Sequence, residues 1–95
     1  MSSWDAIVLN QNDQIATALK KVVSGESVRV KTGEAITEFD VQEDIPLCHK
    51  FAIVNINAGM AIHKYGEPIG AASADIKIGH HVHIHNLKSL RATNK

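Results

Sequence analysis

The chain is poor in the residues that mark several large classes of protein. Its 95 residues include one cysteine, Cys48, so no disulfide can form within the chain, and a reducing, cytoplasmic location is expected. The scarcity of aromatic residues leaves the core to isoleucine, valine, leucine and alanine. No apolar run approaches the roughly 18 residues of a membrane span, and the N-terminus lacks the basic and apolar segments of a secretory signal. We therefore expect a cytoplasmic protein without a membrane partner.

The chain also lacks an excess of charge of either sign. Ten lysines and arginines balance ten aspartates and glutamates, which gives a formal net charge of zero. Nucleic-acid binding is not expected, because it requires a basic field. A neutral chain has little charge repulsion to prevent self-association, so a homo-oligomer is an option.

Short runs with strand character dominate the chain and predict a mainly β fold. Alternating or β-branched segments predict strands at residues 6–9, 28–31, 35–39, 51–54 and 69–72. Glycine and alanine keep the last of these strands thin, which predicts the close approach of another backbone. Residues 65–68 contain glycine and proline and predict a turn.

One amphipathic helix is expected near the N-terminus, at about residues 13–24. Its apolar side chains recur at helical spacing: Ile15, Leu19, Val22 and Val23. Asn12 or Asp13 could cap its first turn, and Gly25 is a plausible stop. This helix is predicted to pack on the sheet.

A second pattern recurs four times: an apolar residue, a small residue three positions later, and an apolar residue three positions after that. The four instances are Val22-Gly25-Val28, Ile45-Cys48-Phe51, Ile56-Gly59-Ile62 and Ile76-Gly79-Val82. We interpret each as a corner, in which a glycine-permitted turn leads into a new strand. Cys48 departs from glycine, so its corner must avoid a positive φ or tolerate its cost.

Residues 79–86, GHHVHIHN, hold four of the six histidines. In an extended strand, alternate side chains share a face, so Val82 and Ile84 are predicted to be buried on one face. The opposite face would carry His81, His83 and His85.

Three interpretations of this histidine face remain open. Neighbouring imidazoles could bind one metal ion, they could contact an anionic substrate or transfer protons, or they could form the solvated face of an edge strand. His81 and His85 would lie roughly 13 Å apart along a strand and could not share an ion. A third ligand would have to come from His49, His63, Cys48, a carboxylate or another chain.

Lys64, Tyr65 and Gly66 form a second candidate group. A lysine beside a glycine turn can present its ammonium to a carboxylate, and the phenol adds a hydrogen-bond donor. The alternative is an ordinary exposed lysine and a tyrosine whose ring lies in the core.

Residues 76–86, preceded by residues 63–70, resemble the N-terminal domain of the altronate and galactarate dehydratase family. Residues 49–52 (HKFA) resemble the Gly-His-Lys-aliphatic motif of that family, with Cys48 in place of the glycine. The resemblance covers nearly the whole chain. The histidine run places the sequence nearer the altronate and sulfolactate branches than the galactarate branch.

This resemblance implies a fold: a SAF-type β-clip of short strands, here with the helix at residues 13–24. A single domain is expected over residues 1–90, followed by a loose tail at residues 91–95.

The resemblance also implies a function, that of a small accessory subunit completing the active site of a separate large catalytic subunit. The substrate would be a sugar acid, from which the enzyme eliminates water. A sulfolactate sulfo-lyase small subunit, or a non-catalytic binding and assembly module, is the alternative. The chain would be inactive alone.

The residues that the resemblance assigns to this site fall into two groups. His83 and His85 would be catalytic. The substrate-binding residues would be Lys64, Tyr65, Gly66, His81, Asn86, His49 and Lys50. No cofactor is assigned to this chain alone and no metal ligand is named, whereas a divalent metal, iron or manganese, is an option for the complete enzyme.

Overall fold

A computed structural model describes residues 4–89, so the tail predicted at residues 91–95 lies outside the described part of the chain. The described residues form nine short strands. These are β1 (Ala6–Val8), β2 (Ile15–Ala18), β3 (Ser27–Thr32), β4 (Ala35–Asp40), β5 (Lys50–Ala52), β6 (Ala61–Lys64), β7 (Glu67–Ala72), β8 (His81–Val82) and β9 (Leu87–Ser89). The prediction of a mainly β fold is confirmed.

The strands form two sheets. The larger sheet has the order β4-β3-β1-β2-β5-β8, and the smaller has the order β6-β7-β9. β1 pairs with β2 antiparallel and with β3 parallel. β5 lies between β2 and β8 and pairs antiparallel with both, and β8 forms one edge of the sheet.

The helix predicted at residues 13–24 is wrong, and residues 4–89 contain no helix. Ile15–Ala18 instead forms β2, between β1 and β5, and Val22 makes an isolated bridge with Ile45. A short apolar run is compatible with a helix or a strand. Here the segment forms a strand because its backbone pairs with β1 and β5, and β5 is distant in sequence. No helix among the described residues is long and apolar enough to cross a membrane.

The four corners are confirmed, and they organise the fold. Each lies at a turn with positive φ, at Gly25 (92°), Cys48 (72°), Gly59 (90°) and Gly79 (88°). The corners meet in pairs through antiparallel bridges, Val22 with Ile45 and Ile56 with Ile76. The corner at Cys48 therefore accepts the left-handed conformation that a side chain disfavours.

Side-chain oxygens of one corner cap the turn of the corner it meets. Asp44 Oδ1 accepts from the Ser24 N–H at 2.9 Å, Asp75 Oδ1 from Ala58 at 2.8 Å, and Asn55 Oδ1 from Ile78 at 3.0 Å. Each capping residue directly precedes the bridging residue of its own corner. These side-chain oxygens therefore stabilise turns that lie far away in sequence.

The core consists of two clusters that share β2 and β5. The first contains Ala6, Val8, Ala16, Ala18, Val22, Val28, Val30, Val41, Ile45 and Phe51. The second contains Ile15, Ala52, Ile56, Ile62, Ala72, Ile76 and Val82. Because consecutive residues of β2 and β5 enter different clusters, these strands separate the two halves of the core.

The close approach predicted beside the thin strand is present at Gly70. A Cβ placed there would lie 2.3 Å from the backbone oxygen of Lys88, on the neighbouring strand β9. Any side chain at this position would push β9 away from β7.

Candidate functional site

Four histidines come together beside β5 and β8, and we call them the histidine cluster: His49, His81, His83 and His85. The His49 Nδ1 and His81 Nε2 atoms lie 2.9 Å apart. The His49 ring stacks on that of His83 with centroids 4.5 Å apart, and the His81 and His85 rings lie 5.5 Å apart. His49 directly follows the corner at Cys48, and the other three follow the corner at Gly79.

The strand predicted across residues 81–85 is wrong, because β8 ends at Val82. A turn follows, in which the N–H groups of Asn86 and Leu87 both donate to the His83 carbonyl oxygen. Val82 is buried as predicted, whereas the Ile84 side chain is 84% exposed at the tip of the turn. Asn86 fastens the turn from both sides, since its Oδ1 accepts the His83 N–H and its Nδ2 donates to the His81 oxygen.

This turn removes the distance limit that a strand would impose. It folds His85 back toward His81, so the expected separation of roughly 13 Å gives way to ring centroids 5.5 Å apart. Of the expected sources of a third ligand, His49 is the histidine that reaches His81 and His83, and their ring nitrogens lie within 4.8 Å of one another. Glu43 also approaches His81 and His85 within the same limit. The chain itself thus contains two sets of three possible metal ligands, whereas the sequence alone did not identify the third ligand.

Glu43 fixes the backbone at His81, where the histidine cluster begins on β8. Its Oε1 accepts the His81 N–H at 2.9 Å, and its Oε2 lies 3.3 Å from His80 Nδ1. Burial raises the pKa of Glu43, but these two interactions and the nearby His85 outweigh burial and lower the pKa overall. Glu43 is therefore a carboxylate at neutral pH.

Two imidazoles of the cluster, His81 and His83, have a lowered pKa and are therefore mainly neutral at pH 7. Burial, followed by the charges of His49, His85 and His83, lowers the pKa of His81, although Glu43 partly opposes this shift. The pKa of His83 is lowered by desolvation and then by His49, Lys50 and His85. A neutral imidazole can accept a proton or bind a metal ion.

Two lysines add positive charge beside the imidazoles. Burial and then the charge of Lys64 lower the pKa of Lys50, and Lys50 in turn acts on His83. The Lys64 Nζ lies 4.7 Å from the centre of the Tyr65 ring. Such mutual repulsion is relieved by an anion bound among these groups.

The Tyr65–Gly66 turn joins β6 to β7, and Asp13 fixes it. Both residues have positive φ, 58° and 79°. The two carboxylate oxygens of the buried Asp13 accept the N–H groups of Tyr65 at 2.8 Å and Gly66 at 2.9 Å. The Tyr65 side chain is 54% exposed, so the alternative of a ring in the core is wrong.

The structure brings the four predicted histidines together, whereas sequence reasoning missed the roles of two acidic residues. Asp13 was expected to cap a helix and instead caps the Tyr65–Gly66 turn, while Glu43 had no recognisable partner in the sequence. Neither lies near its partners along the chain, and no local pattern could have identified them. His63 and Cys48 belong to neither three-ligand set among the described residues.

Comparison with known proteins places the chain in a family. Residues 4–90 match the family described as the altronate/galactarate dehydratase SAF domain. The chain belongs to this family, which confirms the resemblance carried by residues 63–70 and 76–86.

Individual relatives are of two kinds. The chain is 40% identical over 83 residues to the altronate dehydratase of Bacillus subtilis and 39% identical to that of Escherichia coli, covering 87% of this chain but 16% of each relative. It is 31% identical over 94 residues to the (2R)-sulfolactate sulfo-lyase subunit alpha of Chromohalobacter salexigens, covering 98% of that protein. The chain thus spans about one sixth of the altronate dehydratases and nearly all of a lyase subunit.

Proposed function

We propose that this chain is the small accessory subunit of a sugar-acid hydro-lyase and completes the active site of a separate large subunit. The single observation behind the proposal is the face on which the histidine cluster lies with Lys50, Lys64 and Tyr65. It gathers imidazoles and ammonium groups in a chain with no net charge. The altronate dehydratases, which are similar to this chain over a small part of their length, support the choice of reaction.

The chemistry of dehydration explains why such a face is useful. Loss of water next to a carboxylate requires a base for the α-proton, an acid for the departing hydroxyl and a cation for the enolate-like intermediate. In this proposal Lys50 and Lys64 attract the substrate carboxylate, and the Tyr65 phenol donates a hydrogen bond. His83 and His85 supply imidazoles to the reacting centre.

The exposed tip of the histidine turn fits a protein partner. Ile84 is 84% exposed between His83 and His85, and an isoleucine so placed loses contact with water when a second surface covers it. The large subunit would then seal the histidine cluster from solvent and strengthen its electrostatic interactions.

A reconstitution assay tests the proposal. The chain and a large-subunit homologue from the same organism are purified separately and assayed with altronate, alone and mixed. We expect turnover only from the mixture, and robust turnover by this chain alone would contradict the proposal.

Variants of the mixed enzyme test the role of the cluster. For His83→Ala combined with His85→Ala, we expect kcat to fall by about 100-fold or more while the complex remains intact on gel filtration. His63→Ala is the control, and we expect it to leave kcat unchanged. Loss of assembly, or a raised KM alone, would instead assign the chain to a non-catalytic binding and assembly module.

A sulfolactate sulfo-lyase small subunit is the second candidate. It is favoured by the match over 98% of a subunit from such an enzyme. Sulfolactate also carries anionic groups beside a hydroxyl, so the same cationic face suits it. Replacing altronate by sulfolactate in the reconstitution assay distinguishes the two reactions.

A further inference from the structure

Three imidazoles of the histidine cluster lie close together: His49, His81 and His83. His49 comes from the corner at Cys48, and His81 and His83 come from the corner at Gly79 and the turn that follows it. One ring nitrogen from each lies within 4.8 Å of the other two, and all three residues are partly buried. The fold brings His49 next to His81, although the two residues are 32 positions apart in the sequence.

The separations are close to those that a bound ion requires. Metal–nitrogen bonds of about 2.0–2.1 Å at tetrahedral angles place ligand nitrogens about 3.3 Å apart. His49 Nδ1 and His81 Nε2 lie 2.9 Å apart, so an ion would need to open this contact by only a few tenths of an ångström. The rings of His49, His81 and His83 lie within 23° of parallel, so ligation requires them to rotate about their side-chain torsions until the nitrogens face a common centre.

The backbone that carries the ligands is already fixed. The His81 N–H is held by Glu43, and the His83 N–H and the His81 carbonyl are both held by Asn86. Ligands held by such outer contacts lose less freedom on binding an ion. These hydrogen bonds are therefore the supporting shell of a site.

We propose that His49, His81 and His83 bind one divalent first-row transition-metal ion of the kind that prefers imidazole nitrogen, such as zinc or cobalt. Three protein ligands leave a fourth position open to water or to an oxygen of a substrate. His85 is then the imidazole of the cluster that remains available for proton transfer. The inference extends the proposed function but does not depend on it, because the ion binds to this chain alone.

A competing ligand set shares His81. Glu43, His81 and His85 also present ligand atoms within 4.8 Å of one another. Both carboxylate oxygens of Glu43 are engaged, one by the His81 N–H and the other by the His80 ring. Ligation by Glu43 would disrupt these contacts, so the set of three imidazoles is favoured.

Titration of the metal-free chain tests the site. The full chain, treated with a chelator and exchanged into buffer at pH 7.5, is titrated with Co²⁺ by visible absorption and with Zn²⁺ by calorimetry. We expect one ion per chain and visible bands typical of nitrogen-ligated cobalt. His49→Gln and His83→Gln should each weaken Zn²⁺ binding by more than about 100-fold, because each removes one of three ligands.

Two controls make the result decisive. His63→Gln changes a histidine outside both sets and should leave the affinity for Zn²⁺ unchanged, and circular dichroism checks that each variant is folded. Absence of stoichiometric binding would overturn the proposal. A loss of affinity in Glu43→Gln, with none in His49→Gln, would assign the ion to the competing set and would also overturn it. Since no partner or substrate is present, either failure leaves the reconstitution assay unaffected.

Discussion

Three acidic residues accept hydrogen bonds from backbone partners far away in sequence. Asp13 caps a turn more than 50 positions later, and Glu43 holds the His81 backbone. Asp75 caps the turn at Ala58 with one oxygen. The two aspartates differ in the number of hydrogen bonds that they accept from the backbone: Asp13 accepts one with each oxygen, whereas Asp75 accepts one in total.

This difference gives a prediction for aspartate-to-asparagine substitutions. Asp13→Asn replaces one buried acceptor with an N–H₂ group that faces a backbone N–H, so we expect a loss of about 1–3 kcal/mol of unfolding free energy. Asp75→Asn keeps its single accepting oxygen and should change stability little. Urea denaturation of both variants checks this, and equal losses would contradict the assignment of two bonds to Asp13.

At the scale of elements, the sequence predicted the corners well and the connections poorly. The spacing shared by Ile76, Gly79 and Val82 is a local property of the chain, and the same spacing identified all four corners. The choice between helix and strand near Ile15 depended on β1 and β5, which no local window contains. Histidines and β-branched residues alternate up to His85, but residues 83–86 form a turn. The Asn86 side chain stabilises this turn, because it accepts the His83 N–H and donates to the His81 carbonyl oxygen.

The corners provide a matched pair of glycine substitutions. Gly79 and Gly59 have nearly the same φ, 88° and 90°, but a Cβ at Gly79 would lie 2.3 Å from the Asp40 oxygen, whereas one at Gly59 meets no atom within 4 Å. Gly59→Ala should cost about 1–2 kcal/mol from the left-handed conformation. Gly79→Ala should cost about 1–3 kcal/mol more, because the backbone around Asp40 must move.

Urea midpoints of the two alanine variants measure this difference. The Gly79 carbonyl also accepts the Gln42 N–H at 2.8 Å, so movement there strains a hydrogen bond between segments. Equal midpoints for the two variants would contradict the close packing of this corner.

At the scale of the whole molecule, charge is balanced in total but not in distribution. Lys50 and Lys64 lie beside the histidine cluster in a neutral protein, and burial together with the neighbouring charges lowers the pKa values of Lys50, His81 and His83. Composition predicted the neutrality of the chain, whereas the gathering of ionisable groups depends on how the corners bring His49 and Lys50 beside His81 and His83.

This arrangement predicts that stability falls in mild acid. The folded-state pKa values of His81 and His83 lie below the ordinary value of 6.5, so the unfolded chain takes up protons first. Stability should therefore be greatest above pH 6.5 and should decrease as the pH falls from there toward the lower folded pKa values. The pKa of Glu43 is lowered from 4.5, so its contribution is lost at more acidic pH.

Urea midpoints between pH 5 and pH 8, with a chelator present, measure this dependence. His81→Gln combined with His83→Gln should flatten the profile above pH 5, whereas His63→Gln should retain it. A profile of unchanged slope in the double variant would show that other groups control the acid response.

The parallel pairing of β1 with β3, and the position of β5 between β2 and β8, have a kinetic consequence. The larger sheet joins strands that are distant in sequence, and sheets of this kind fold in milliseconds to seconds, because long loops must close before their contacts stabilise the chain. β8 brings only two residues to the edge of that sheet. Docking of this edge completes the histidine cluster, so refolding should restore the histidine environment only once β8 has joined the sheet.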